Sequence, residues 1–188
     1  MTKRVVIIHG SYGSSQENWF PWLAKQVRVL GYEAIVPDFP TPEGQTLKRW
    51  LDVFEKAVGR LTPDVMLVGH SLGVAFILRV LERTRQPIAG CFLVSGFLGE
   101  LGLPEFEKVN ADFVTAPVNW KRVRENCGEA HVYNGDNDPY VPLERGKEIA
   151  KHLGVGVTVI KNGGHINANA GYSTFPQLLE DLKMCCRV

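Results

Sequence analysis

The chain has 188 residues, of which 45% are hydrophobic, and its 21 basic and 20 acidic side chains nearly cancel. This length supports one sizeable hydrophobic core and not two, so we expect a single domain over residues 1–188. The balanced charge gives no electrostatic drive toward nucleic acid or an anionic membrane, so we expect recognition to come from a local site.

Short β-branched segments recur along the chain and alternate with segments of helical spacing. The predicted strands are Arg4–Ile8, Glu33–Val36, Val65–Val68, Cys91–Val94, His131–Tyr133 and Val157–Ile160. The predicted helices are Trp19–Leu30, Leu47–Leu61, Val74–Arg83, Leu143–Leu153 and a closing helix over Phe175–Val188. The alternation predicts a compact three-layer α/β fold, in which helices cover both faces of a mostly parallel sheet of about six strands.

The carboxyl ends of parallel strands meet at one edge of such a sheet, where sites in open α/β folds are built. The interval Phe97–Glu129 contains no clear strand. It has two interpretations, a small cap over the site or an ordinary crossover whose aromatic residues pack in the core.

No apolar run approaches the length of a bilayer span. The amino terminus passes from Met1-Thr2-Lys3-Arg4 directly into a β-branched run, without the apolar stretch of a secretory signal. We therefore expect a cytoplasmic protein. The cysteines have neither the density of a disulfide scaffold nor C-x-x-C spacing, which favours reduced thiols at Cys91, Cys127, Cys185 and Cys186.

The strongest local signal is the sequence Gly69-His70-Ser71-Leu72-Gly73, a G-x-S-x-G motif between a predicted strand and a predicted helix. A serine on such a turn has a strained backbone, so small neighbours are needed, and its hydroxyl stands at the end of the strand. This context predicts that Ser71 is a nucleophile.

Histidine is the side chain whose pKa suits proton removal from serine near neutral pH. His165 follows the last predicted strand on a glycine loop, where this fold needs its base. For His70, beside the nucleophile, packing or a hydrogen bond is the expected role. We predict that His165 is the general base.

The carboxylate of such a triad follows a strand between serine and histidine. The loop after His131–Tyr133 offers Asp136 and Asp138. Asp138 precedes Pro139, which confines it to an extended conformation, whereas an acid directly after Gly135 more often ties the turn. We predict that Asp138 orients the histidine.

The N–H of Leu72 and the N–H of Ser11, in the glycine-rich loop after the first strand, are the predicted oxyanion donors. Tyr12, Phe97 and Trp120 are candidates to line an apolar pocket, although each could belong to the core. The loop after the first strand lacks both common phosphate-binding glycine motifs, so we expect no nucleotide, and the chemistry requires no metal or organic cofactor.

Further segments complete a pattern with the nucleophile turn: His9-Gly10, Trp19 to Leu23, Val94-Ser95, Pro117 with Trp120, Gly135 to Pro142, and Gly163 to Ala168. The chain thereby resembles the small YdeN-like and retinoblastoma-binding protein 9-like serine hydrolases over nearly its whole length. The resemblance implies a compact α/β-hydrolase without the large lid of bigger relatives. It also implies a triad at Ser71, Asp138 and His165.

The function expected is a carboxylesterase-like serine hydrolase that acts on small acyl esters through an acyl-enzyme. The alternative is a catalytically weak or idle interaction module, which the name of the human relative suggests. The usual retinoblastoma docking motif is L-x-C-x-E, and the nearest segment, Glu125-Asn126-Cys127-Gly128-Glu129, has glutamate in place of leucine. The sequence therefore indicates no particular protein partner.

Overall fold

The computed structural model describes residues 3–185. The strands are β1 (Arg4–Ile8), β2 (Glu33–Ile35), β3 (Val65–His70), β4 (Gly90–Val94), β5 (Glu129–Gly135) and β6 (Val157–Ile160). The helices are α1 (Phe20–Val29), α2 (Leu47–Val58), α3 (Leu72–Arg83), α4 (Pro104–Val114), α5 (Trp120–Asn126), α6 (Leu143–Leu153) and α7 (Pro176–Cys185). The strands form one parallel sheet in the order β2-β1-β3-β4-β5-β6, which confirms the predicted α/β fold.

Alternate side chains of the central strands face opposite helix layers. In β1, Val5 and Ile7 pack with α1 and α7, whereas Val6 and Ile8 pack with α2 to α6. Strand β3 is buried along its whole length, because both faces are covered. The continuous apolar runs in the sequence are thus explained by a sheet between two helix layers.

Most element boundaries lie within a few residues of those predicted. Helix α2 ends at Val58 because Gly59 follows with φ 67°, a left-handed backbone that does not continue a helix. Cys91, Cys127 and Cys185 are buried free thiols, and Sγ of Cys91 lies 3.0 Å from Sγ of Cys127. The last three residues of the predicted closing helix, including Cys186, lie outside the described residues.

The chain changes direction across the sheet between β1 and β3. From β1 it passes outward to β2, and it then returns to β3 on the other side of β1. The loops that leave the carboxyl ends of β1 and β3 therefore diverge, which leaves a crevice between them. Between residues 3 and 185, no helix combines the length and apolar character needed to cross a bilayer.

Candidate active site

A cavity of about 700 Å³ opens at the carboxyl edge of the sheet. Ser71 and His165 both line it, and so do Ser11, Tyr12 and Phe97, three further residues selected from the sequence. They come from loops that are far apart along the chain. The parallel sheet brings these loops together, because the carboxyl ends of β1, β3, β4 and β6 lie at one edge.

Trp120 does not line this cavity, which corrects its predicted place in the pocket. Trp120 is the first residue of α5. Its indole stacks on the imidazole of His152 in α6, with ring centroids 4.3 Å apart. Helix α5 also packs against α3. Trp120 therefore joins two helices of the outer layer.

Ser71 lies on a sharp turn between β3 and α3. Its backbone has φ 56° and ψ −121°, which residues other than glycine rarely adopt, and its N–H donates to Val94 O at 2.9 Å. A Cβ on Gly69 would lie 2.8 Å from Gly73 O, and a Cβ on Gly73 would lie 2.5 Å from Ile8 O. Both glycines are required because α3 packs so closely on the sheet.

His165 follows β6 and pairs with Asp138, which follows β5. Nδ1–H of His165 donates to Oδ2 of Asp138 at 2.8 Å. Oδ1 of Asp138 accepts the backbone N–H groups of Tyr140 at 2.9 Å and Val141 at 3.0 Å, and the Asp138 side chain has 0% exposure. These contacts fix the carboxylate. A proton held on Nδ1 leaves Nε2 of the neutral imidazole free to accept another.

Asp136, the other acid of this loop, is exposed and has a different partner. Its Oδ1 accepts the N–H of Asn162 at 2.7 Å, which ties the loop after β5 to the loop after β6. Asn137 makes a similar tie, because its Oδ1 accepts the N–H of Gly164 at 2.8 Å. The structure therefore brings Asp138, and not Asp136, to the imidazole.

The backbone of the histidine loop is held by side chains from other parts of the chain. The carbonyl oxygen of His165 accepts Nε2–H of His70 at 2.8 Å and Oγ–H of Ser95 at 3.2 Å. The next carbonyl, of Ile166, accepts Nε1–H of Trp19 at 2.9 Å. Ile166 has φ 49°, a conformation that a β-branched residue rarely adopts. These three donors help to hold the loop in that strained conformation.

His70 is neutral in this position. Burial first, and the neighbouring His165 second, lower its pKa to about 3. The neutral ring donates through Nε2 to a carbonyl oxygen, which can only accept. The sequence left packing or a hydrogen bond as the role of His70, and the structure assigns it a hydrogen bond to the histidine loop.

The loop after β1 is fixed by His9 and approaches the nucleophile turn closely. Nε2 of His9 accepts the N–H of Phe39 at 2.9 Å, and Nδ1–H donates to Gly10 O at 2.7 Å. Burial lowers the pKa of His9, which favours this neutral form. A Cβ on Gly10 would lie only 2.8 Å from Cβ of Ser71. Glycine is needed here for the close approach.

The N–H groups of Ser11 and Leu72 have no hydrogen-bond partner between residues 3 and 185. Leu72 is the first residue of α3, so its N–H also lies at the positive end of the helix dipole. Amide donors beside a serine hydroxyl can stabilise negative charge on an oxygen. Both predicted oxyanion donors are therefore available for that role.

Helix α4 forms a wall of the cavity. The ring of Phe106 contacts the ring of Tyr12 with centroids 5.4 Å apart and the ring of Tyr140 at 6.3 Å. Tyr12 also donates through its hydroxyl to the carbonyl of Glu105 at 3.2 Å. The first half of the interval Phe97–Glu129 therefore caps the site, whereas α5 in the second half is an ordinary crossover helix.

The cap contributes apolar side chains to the cavity, whereas other loops contribute polar ones such as Gln16, Asn18 and Asn167. Among residues 3–185, no lysine or arginine lines the cavity, and Glu17 is its one acidic lining residue. Within the described part of the chain, no cluster of three or more His, Cys, Asp or Glu side chains is arranged to hold a metal.

The lining residues that the sequence analysis did not select include Phe106, Asn110 and Tyr140. Tyr140 could have been found by its place two residues after Asp138. Phe106 and Asn110 carry no local signal, because they reach the site only through the position of α4.

Comparison with known proteins places these features in context. A family model described as serine hydrolase matches residues 5–184. YdeN of Bacillus subtilis (strain 168) is 33% identical over 178 residues, which cover 94% of this chain and 92% of YdeN. Serine hydrolase RBBP9 of Rattus norvegicus is 26% identical over 165 residues and 86% of either chain.

Solved structures show the same likeness. The crystal structure of the ydeN gene product from B. subtilis matches with a TM-score of 0.91 and 30% identity, over 100% of both chains. Est1E from Butyrivibrio proteoclasticus matches with a TM-score of 0.73 and 19% identity, over 100% of this chain and 89% of Est1E. At that identity the second match indicates a common fold alone.

Proposed function

The chain belongs to the serine hydrolase family and has the α/β-hydrolase fold, and we propose that it hydrolyses carboxylic esters with Ser71, His165 and Asp138 as its triad. The observation that carries this proposal is the hydrogen bond of 2.8 Å between Nδ1 of His165 and Oδ2 of Asp138, beside a cavity that Ser71 also lines. This bond sets the tautomer in which Nε2 can take the serine proton.

In the proposed reaction, Nε2 of His165 takes the hydroxyl proton of Ser71 as Oγ attacks the acyl carbon. The oxyanion is stabilised by the N–H groups of Ser11 and Leu72. His165 then gives the proton to the leaving alcohol, and an acyl-enzyme on Ser71 remains. A water molecule, deprotonated by His165, attacks the acyl-enzyme, and the acid and the free serine are released.

The walls of the cavity favour a neutral acyl group. Apolar side chains line the side formed by the cap, among them Phe97, Leu101 and Phe106, and within residues 3–185 no lysine or arginine lines the cavity to bind a carboxylate or phosphate on the substrate. A small carboxylic ester with an uncharged acyl chain fits these walls. The leaving group of such an ester departs as an alcohol, and one histidine is enough to protonate it.

The test is hydrolysis of p-nitrophenyl esters of short, unbranched acids by the purified chain. Wild type is expected to turn them over, and Ser71→Ala is expected to lose at least about 10³-fold in kcat. Ser14→Ala is the matched control, because Ser14 lies in the loop after β1 without lining the cavity. Equal activity of Ser71→Ala and wild type, or no turnover by folded wild type, would contradict the proposal.

A further inference from the structure

A chain of polar side chains connects the loop after β1 to the cap, and its direction can be followed atom by atom. The N–H of Tyr12 donates to Oγ1 of Thr41 at 2.6 Å. Because a backbone N–H can only donate, the hydroxyl proton of Thr41 is free to point onward. It donates to Oε1 of Gln45, at 2.5 Å.

The amide of Gln45 is therefore oriented with its oxygen toward Thr41 and its nitrogen toward α4. Nε2 of Gln45 lies 2.9 Å from the carbonyl oxygen of Val109 and 2.9 Å from Oδ1 of Asn110. A carbonyl oxygen can only accept, so the contact with Val109 fixes the same orientation independently. The side chain of Asn110 thus receives a donor from Gln45.

A second donor reaches the same atom of Asn110. Oγ of Ser11 lies 2.5 Å from Oδ1 of Asn110 and donates its proton to it. With Oδ1 held by Gln45 and Ser11, the amide nitrogen Nδ2 is on the opposite side of the group. The side chain cannot flip without setting an N–H₂ group against Nε2 of Gln45.

Asn110 is only 2% exposed and lines the cavity. Its Nδ2 has no hydrogen-bond partner in residues 3–185, where the fully enclosed side-chain atoms without a partner are both on Asn134, so Nδ2 of Asn110 keeps some accessible surface. Phe97, Leu101 and Phe106 line the same side of the cavity, and none of their side chains can accept its protons. A donor at the cavity wall that has no protein partner is available to an acceptor on a bound molecule, which would take the place of water.

We propose that Nδ2 of Asn110 binds an oxygen on the acyl chain of the substrate, so that the site prefers acyl groups with an ether, keto or hydroxyl oxygen over plain alkyl chains. The inference rests on the proposed ester hydrolysis. The leaving oxygen has to lie beside His165, which protonates it, whereas Asn110 is bonded to Ser11 on the side of the oxyanion loop. The part of the substrate that reaches Asn110 is therefore the acyl chain.

The test uses pairs of p-nitrophenyl esters that differ by one oxygen in place of one methylene group. The pairs are methoxyacetate with butyrate, and 3-methoxypropanoate with pentanoate. Each kcat/KM is divided by the rate of the same ester with hydroxide, which removes the intrinsic effect of the ether oxygen. Wild type is expected to prefer at least one ether ester over its partner by about fivefold to tenfold, the size of one hydrogen bond.

Two variants distinguish the donor Nδ2 of Asn110 from the hydrogen bonds that Asn110 makes with Ser11 and Gln45. Asn110→Asp keeps an oxygen for Ser11 and Gln45 but has no donor, and Asn110→Leu removes both functions. In each variant the corrected preference for the ether ester is expected to vanish. If Asn110 only supported the fold, both members of a pair would lose the same factor and the preference would stay as in wild type.

The outcomes for this inference and for the proposed function differ. Turnover of the esters by wild type with no corrected preference in either pair would overturn the inference and leave ester hydrolysis standing. A preference that persists in Asn110→Asp would also overturn it. Absence of turnover of every ester by folded wild type would overturn the proposed function, and the inference with it.

Discussion

The turn that carries Ser71 and the loop that carries His165 border the same cavity but are held in place by different means. Ser71 is fixed by its backbone and by close packing, with no room for a Cβ at Gly69 or Gly73. His165 and Ile166 are fixed by side chains, through donors from His70, Ser95 and Trp19 to their carbonyl oxygens.

This difference determines how each part is expected to fail. A turn held by packing tolerates no added atom, so a single methyl group disturbs the strand, the helix and the serine together. A loop held by separate hydrogen bonds loses its support one bond at a time, so its variants are expected to show graded losses of activity in a folded protein.

The largest effect is expected at the carboxylate that orients the imidazole. Asp138→Asn replaces the acceptor of Nδ1–H and favours the wrong tautomer, so kcat is expected to fall by roughly 10³–10⁴-fold. Asp136→Asn changes only an exposed tie to Asn162 and is expected to cost less than about threefold. Steady-state kinetics on a p-nitrophenyl ester measure both, and equal losses in the two variants would contradict the choice of Asp138.

A large loss of stability is expected when the packed turn receives a methyl group. In Gly73→Ala the new Cβ meets Ile8 O and His9 O, and we expect the free energy of unfolding to fall by about 2–4 kcal/mol. Gly156→Ala is the matched control, because a Cβ there has no atom within 4 Å, and it is expected to change stability by less than about 0.5 kcal/mol. Urea denaturation gives both values. Similar stabilities of the two variants would argue against close packing as the restraint on the turn.

Intermediate losses of activity are expected where the histidine loop loses one donor. His70→Leu removes the hydrogen bond to the carbonyl of His165 and is expected to lower kcat by about tenfold to thirtyfold with little change in KM. His70→Gln keeps an N–H₂ group near the position of Nε2 and is expected to recover most of that loss. Failure of glutamine to do better than leucine would mean that the ring, and not its donor, supports the site.

The smallest effect expected is a change in the free energy of unfolding with pH, caused by protonation of His70. Its pKa is about 3 in the folded protein and 6.5 in an unfolded chain, so the unfolded state binds the extra proton first. The stability that neutral His70 contributes is complete above pH 6.5 and is lost as the pH falls toward 3. The expected slope is up to about 1.4 kcal/mol per pH unit.

Urea denaturation at pH 7.5, 6.5 and 5.5 measures this slope for wild type and for His70→Gln, which lacks the titrating ring. The variant is expected to lose less stability between pH 6.5 and 5.5 than wild type. His9 is present in both proteins, so its own lowered pKa cancels in the comparison. Identical slopes would mean that His70 takes up no proton on unfolding.

The features that the sequence predicted correctly are those that depend on neighbouring residues. Strand β1, helix α6 and the turn at Ser71 follow from residues adjacent in the chain, because backbone conformation and period are local properties. The choice of Asp138 over Asp136 also came from a local restraint, the proline that follows it.

The contacts that the sequence did not predict join distant residues. Asn110 meets Gln45 across 65 positions, and His70 meets His165 across 95. Neither pair has a spacing or motif that indicates contact, because the packing of α4 and the strand order bring them together. Trp120 was misassigned for the same reason, since an aromatic residue carries no local sign of which helix it will contact.

The assignment of Ser71 as the nucleophile is tested by the mass of the protein after reaction with a fluorophosphonate, which modifies activated serines. We predict a single adduct per chain, located on the peptide that contains Ser71, and its absence after Ser71→Ala or His165→Ala. Failure of folded wild type to form an adduct, or an adduct on another residue, would contradict the assignment of Ser71 as the nucleophile.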